Sequence, residues 1–182
     1  RMAMRIASSV AAGLLLSACA AGGGINIVHT VIIDPGYSAS DVIISGVPIP
    51  MRVVGAPRDG ATEAETLAAL TLPGRLGARP ARAETPADFS AMRIVFAFAP
   101  LSVNRICTAD AGSSGNIGGK AGQTEVSAAL CRGDRQLSYA ILRTAASGPR
   151  DPEFRPAARL LLGAIMPPYA NQLTPRHPLG AQ

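Results

Sequence analysis

The stretch EVSAALCRGDRQLSYAILRT, residues 125–144, decides the fold. Glu125 to Cys131 and Gln136 to Thr144 are two strand-forming runs, and Arg132-Gly133-Asp134-Arg135 lies between them. A tight reversal favours Gly-Asp, because glycine accepts a positive φ and aspartate bonds its own backbone. The stretch therefore predicts a β-hairpin. Arg132-Gly133-Asp134 also spells the tripeptide that integrins read in host adhesion proteins. The turn needs Gly-Asp on backbone grounds alone, so the triplet is read as structural.

Working outward towards the N-terminus, Met92 to Phe98 (MRIVFAF) is apolar, branched and aromatic, and predicts a central strand closed by Pro100. Between it and the hairpin, Ser114 to Ala121 (SGNIGGKA) partly matches the phosphate-binding pattern G-x-x-x-x-G-K-[ST]. Serine stands where the first glycine belongs, and alanine where the magnesium-holding hydroxyl belongs. A strand follows, not the helix that a phosphate loop opens, so no nucleotide is expected.

Further upstream, Ile25 to Ile33, Asp41 to Ile44 and Pro48 to Val54 are strand candidates, the last two joined as a hairpin through Ser45-Gly46. Pro48 and Pro50 lack amide donors and place the start of the third run at a sheet edge. Thr62 caps a helix running to about Leu72, with Glu63 and Glu65 at its positive end and Ala64, Leu67, Ala68 and Leu72 on one face. Arg75 to Ala87 has no periodicity and reads as a surface loop bearing Arg75, Arg79 and Arg82. Towards the C-terminus, Pro152 to Ile165 predicts a second helix, with Phe154, Ala157, Ala158, Leu161, Leu162 and Ile165 on its apolar face. The fold class that follows is α+β: an antiparallel or mixed sheet of five or six strands, two helices packed on one face, and one disulfide.

The disulfide is a matter of cysteine arithmetic. Of three cysteines, Cys107 and Cys131 remain once Cys19 is assigned to the leader described next. In an oxidising compartment an even remainder reads as a bridge. The alternative, free or metal-bound thiols, lacks neighbouring histidines or Cys-x-x-Cys spacing, and no metal or other cofactor is expected. Closing a loop of about 25 residues removes unfolded-chain entropy worth on the order of 3 kcal/mol.

The leader runs from Met4 to Cys19, MRIASSVAAGLLLSAC: a positive start at Arg5, an apolar run from Ile6 to Leu16, then small residues. That run is 11 residues long, short of the about 20 that a helix needs to span a bilayer. Leu16-Ser17-Ala18-Cys19 resembles the lipobox of bacterial lipoproteins. That resemblance implies a diacylglycerol thioether on Cys19, cleavage just before it, and acylation of the new amino group. The alternative is an ordinary secretory signal whose cleavage region happens to contain a cysteine, and the four matched positions at the correct distance from the apolar run count against it. In the sorting scheme of that family an aspartate after the cysteine retains the protein in the inner membrane. Ala20 stands there instead and favours the outer membrane. The expected divisions are residues 1–18 as signal peptide, 19–24 as lipidated cysteine and flexible tether, 25–168 as one domain, and 169–182 as a disordered tail.

Net charge is +5, of which Arg1 and Arg5 supply two, so the mature part carries +3. There is no dense basic block, and the seven aromatics are scattered. That pattern excludes the concentrated footprint of a nucleic-acid binder. The mild positive balance fits attraction to anionic lipid or envelope polymers.

The body of the chain is similar to an uncharacterised family of small bacterial lipoproteins. The similarity runs from about Asp41 to Pro168: a strand ending Phe98-x-Pro100, Cys107, the run Ala129-x-Cys131-Arg132-Gly133-Asp134-Arg135-x-Leu137-Ser138, and a helix opening Pro152-x-Phe154 and ending Met166-Pro167-Pro168. It implies one domain and a disulfide, and transfers no active site.

Three functions are open at this point. The first is a non-catalytic lipid-anchored module of the cell envelope, whose partners are the membrane and an envelope protein or polymer. The second is a small periplasmic hydrolase. It is disfavoured by having only two histidines, His29 in a strand and His177 in the tail, and by lacking G-x-S-x-G and H-E-x-x-H. Its remaining chance is convergence of Asp110, Asp134 and Glu125 around the disulfide loop. The third is a carrier of lipid or another apolar ligand, which requires a cavity under Phe154 to Ile165.

Overall fold

The structure, a computed structural model, describes residues 25–42, 48–74, 80–82, 92–108 and 122–168. Six strands, β1 (Ile27–Ile33), β2 (Ile49–Val54), β3 (Pro80–Arg82), β4 (Met92–Ala97), β5 (Thr124–Arg132) and β6 (Arg135–Thr144), form one sheet in the order β1-β6-β5-β4-β2-β3. β4, β5, β6 and β1 pair antiparallel, whereas β2 runs parallel to both β4 and β3. The helical elements are a single turn α1 (Ala39–Val42), α2 (Glu63–Ala69), and α3 (Phe154–Ile165). The α+β class, the mixed sheet and the disulfide are as expected.

The hairpin at the centre forms around Gly133-Asp134. Arg132 pairs with Arg135, and Gly133 takes φ +58°, the sign a two-residue reversal demands at its first position. β4 lies beside β5, its alternation sending Ile94, Phe96 and Phe98 to one face and Val95 and Ala97 to the other. On the first face α3 lays down Phe154, Ala157, Ala158, Leu161, Leu162 and Ile165, all fully buried. Phe154 meets Phe96 edge-on at 6.1 Å and stacks on Phe98 at 5.9 Å between centroids. Ala69 of α2 and Leu70 and Leu72 beyond it close the same core over β2.

The local signals at α2 form a capping box: Glu65 N–H donates to Thr62 Oγ1 at 3.2 Å, and Thr62 N–H donates to Glu65 Oε2 at 2.7 Å. The Glu65 carboxylate also receives Arg150 on both oxygens, Nε at 3.1 Å and Nη2 at 2.9 Å, which joins the turn before α3 to the start of α2. These bonds lower the Glu65 carboxyl to about 2, the Arg150 guanidinium contributing most. α2 stops at Ala69, three residues before the expected Leu72.

Three local expectations are corrected. The stretch 41–44 does not open as a strand: residues 39–42 make a helical turn in a segment of short polar side chains, where Ser38 and Ser40 hydroxyls lie 2.6 Å apart. Residues 43–47 lie outside the described residues. Among the described residues β2 pairs on its two sides with β3 and β4, both distant in sequence, and not with a strand just before it. Nor is its start a sheet edge: β3 pairs with Ile49, Pro50 and Met51 on the outer side, and the missing amide of Pro50 is tolerated because the β4 ladder on the other side begins only at Met51. Within the stretch 75–87, residues 80–82 form the outer strand β3, while 75–79 and 83–87 are outside the described residues. The leader and the tail 169–182 also lie outside them. Among the described residues no helix is long and apolar enough to cross a membrane.

Candidate functional site

The face of the sheet away from α2 and α3 carries the chemistry-bearing side chains. Val54, Val95, Ala97, Ala129, Cys131 and Tyr139 form its floor, and the chain after β4 crosses it, bringing Ile106 and Cys107 into the same buried cluster. Four attachments hold this crossing segment. Cys107, in the 3-10 turn Ile106–Thr108, is bonded to Cys131 of β5, with Cα atoms 5.8 Å apart. Arg93 Nη2 donates to the Cys107 carbonyl at 2.6 Å. Ser127 Oγ donates to the Ala99 carbonyl at 2.6 Å and accepts from Leu101 N–H at 3.3 Å. Tyr139 Oη donates to the Leu101 carbonyl at 2.6 Å. An irregular backbone packed against a sheet must have its carbonyls and amides satisfied, and these three side chains do that.

Their electrostatics follow from burial. Desolvation, with the nearby Glu125 charge adding to it, raises the Tyr139 phenol above its ordinary range and keeps it a donor. Desolvation lowers the Arg93 guanidinium, Asp134 in the hairpin turn opposes that, and Arg52 on β2 adds to it.

Towards β1 the same face becomes polar. Glu125 faces Arg143 across the β5–β6 ladder, with Arg143 Nη2 and Nε donating to Oε1 at 2.7 and 3.1 Å. His29 Nε2 stands 3.9 Å from that oxygen, and its Nδ1 lies 3.0 Å from the Thr30 hydroxyl. His29 and Ser127 occupy one row of the sheet, each in register with Ile141. Two strand spacings, about 9.6 Å, separate their backbones. Among the described residues no hydrogen bond joins His29 to a serine or cysteine.

The proposed carboxylate convergence does not form from the residues that can be placed. Glu125 lies near the open end of the hairpin and Asp134 in its turn, about 24 Å of strand apart, and Asp110 is outside the described residues. No group of three or more His, Cys, Asp or Glu that could hold a metal occurs among the described residues. Cys19, His177, the segment 114–121, Arg75 and Arg79 are likewise outside them. Under α3 the space between helix and sheet is filled by the three phenylalanines, Leu161 and Leu162.

Sequence reading passed over Arg93, Ser127 and Tyr139. The usable signal was a charged or hydroxylic residue on the inward repeat of an otherwise apolar strand, which announces a buried bond to be satisfied.

Compared with family models, curated proteins and solved structures, the chain finds no match in any of the three.

Proposed function

We propose that the chain is a non-catalytic, lipid-anchored lipoprotein of the cell envelope, facing the periplasm from the outer membrane and serving as an accessory or binding module. The observation that carries this is Leu16-Ser17-Ala18-Cys19 at the end of an 11-residue apolar run. A thiol in that position is the group from which a thioether to a lipid is made, and two or three acyl chains give durable anchoring where one does not. The Cys107–Cys131 bond supports the same address, because such bonds persist in oxidising compartments. Three polar side chains of the face away from the helices, Arg93, Ser127 and Tyr139, are spent on holding residues 99–107, and Glu125 on that face is paired with Arg143, which supports a role through surface contact.

Replacing the thiol tests the reading. Cys19→Ser, expressed in a bacterium that processes lipoproteins, should accumulate as uncleaved precursor and lose incorporation of labelled palmitate. Normal cleavage and membrane retention of that variant would refute the anchor.

A further inference from the structure

Five large apolar side chains stand exposed among the described residues, and four belong to or adjoin β1: Ile25 at 77%, Ile27 at 46%, Val31 at 41% and Ile32 at 40%. The fifth is Leu160 on α3. Register sets the direction of the β1 group. Ile27 is opposite Arg143, His29 opposite Ile141 and Ile32 opposite Tyr139, all on the face away from the helices, whereas Val28 and Ile33 pack towards the helical core. By the same alternation Ile25 continues the row of Ile27.

An apolar edge strand invites another strand, but β1 is shaped against that. Between His29 and Ile32 the strand carries one residue more than β6, and Thr30 sits at φ +55°, a costly conformation for a β-branched residue. A bulge of this kind interrupts the outer row of amides and carbonyls that an added strand would use. The side chains are thus presented without a continuous backbone ladder, which suits a fluid apolar surface better than a peptide.

Covalent geometry says which surface lies within reach. Only Ala20–Gly24 separate Cys19 from Ile25. Whatever their conformation, that spacer extends no more than about 22 Å, roughly the length of β1 itself. The chain therefore enters the domain at Ile25, the first of the exposed isoleucines, and a spacer about as long as β1 keeps the whole of that edge within reach of the surface that holds the acyl chains. We propose that the β1 edge, through Ile25, Ile27 and Ile32, rests on the bilayer surface to which acylated Cys19 anchors the chain. The proposal depends on the reading of Cys19 as lipidated.

The chain has no tryptophan, so one introduced residue is a sole reporter. Lipidated full-length Ile27→Trp, Ile32→Trp and Leu160→Trp are reconstituted in phosphatidylethanolamine–phosphatidylglycerol vesicles with or without brominated acyl chains. Both β1 reporters should shift to the blue and be quenched about twofold or more, as expected of side chains seated about 5–10 Å into the interface, while the α3 reporter stays unquenched. Hydrogen exchange of the unaltered chain, slowed at residues 25–32 by vesicles, gives the same readout should a tryptophan variant misfold. Unquenched β1 reporters on a protein whose mass includes the acyl chains would overturn the docked edge and leave the anchor standing. A mature mass without acyl chains would overturn both. Blue-shifted emission without vesicles, accompanied by a dimer in sedimentation, would assign the edge to a second copy and overturn the proposal.

Discussion

Truncation of Phe154 probes the packing on which the two-layer architecture depends. The side chain is fully buried at the start of α3 and touches Phe96 and Phe98, so Phe154→Ala removes one wall of a three-ring cluster. A buried Phe→Ala change costs about 3–5 kcal/mol through lost transfer energy and the cavity left behind. In a domain of this size that corresponds to a fall in Tm of about 8–16 °C. Leu160→Ala on the same helix supplies the internal comparison: its side chain is half exposed, and surface changes stay within about 0.5 kcal/mol. Thermal melts of both variants with the disulfide intact separate the two faces of one helix. Equal small shifts, or a larger loss at Leu160, would refute the orientation of α3 and with it the core described here.

Three further outcomes follow from particular contacts. Replacing both Cys107 and Cys131 by serine should cost about 3 kcal/mol in urea unfolding, in line with a bridged separation of 24 residues; unchanged stability would mean that the bridge does not constrain the unfolded chain. Tyr139→Phe leaves the Leu101 carbonyl without its donor and should cost about 1–3 kcal/mol with an unaltered m-value, a loss absent if that carbonyl is solvated. Glu65 has its folded-state carboxyl lowered to about 2 from 4.5, so the stability it contributes is complete above pH 4.5 and drains away as pH falls towards 2. The Tm of the unaltered chain should then fall faster than that of Glu65→Gln across that window, and parallel curves would contradict the Arg150–Glu65 contact.

Much of the fold was legible because it is local. The β5–β6 hairpin, β4, the Thr62 cap of α2 and the stripe of α3 each announce themselves within a dozen residues, and the Cys107–Cys131 bond follows from counting. What could not be read was pairing between distant segments. The partners of β2 arrive after α2 and after β3, and nothing in 49–54 specifies them. β3 is three residues long, too short for any period to show, and it sits among arginine, glycine and proline that read as loop. The run 41–44 looked like a strand because Val42, Ile43 and Ile44 are branched. The serines before it favoured local bonds, and residues 39–42 took a helical turn.

The exposed isoleucines of β1 illustrate the same limit from the functional side. INIVHTVII shows a strand, but only its position at the end of the sheet, next to β6, leaves Ile27 and Ile32 uncovered. The buried polar residues Arg93, Ser127 and Tyr139 acquire meaning once residues 99–107 are seen to cross the sheet.

The central claim is that this domain lives tethered to a membrane through a lipid on one sulfur. Intact mass spectrometry of the native protein, extracted from bacterial membranes, tests it most directly. A chain beginning at Cys19 and heavier than its peptide mass by a diacylglyceryl group, with or without a further acyl chain, is the expected result. A mature N-terminus elsewhere, or a Cys19 bearing no fatty acid, would contradict it.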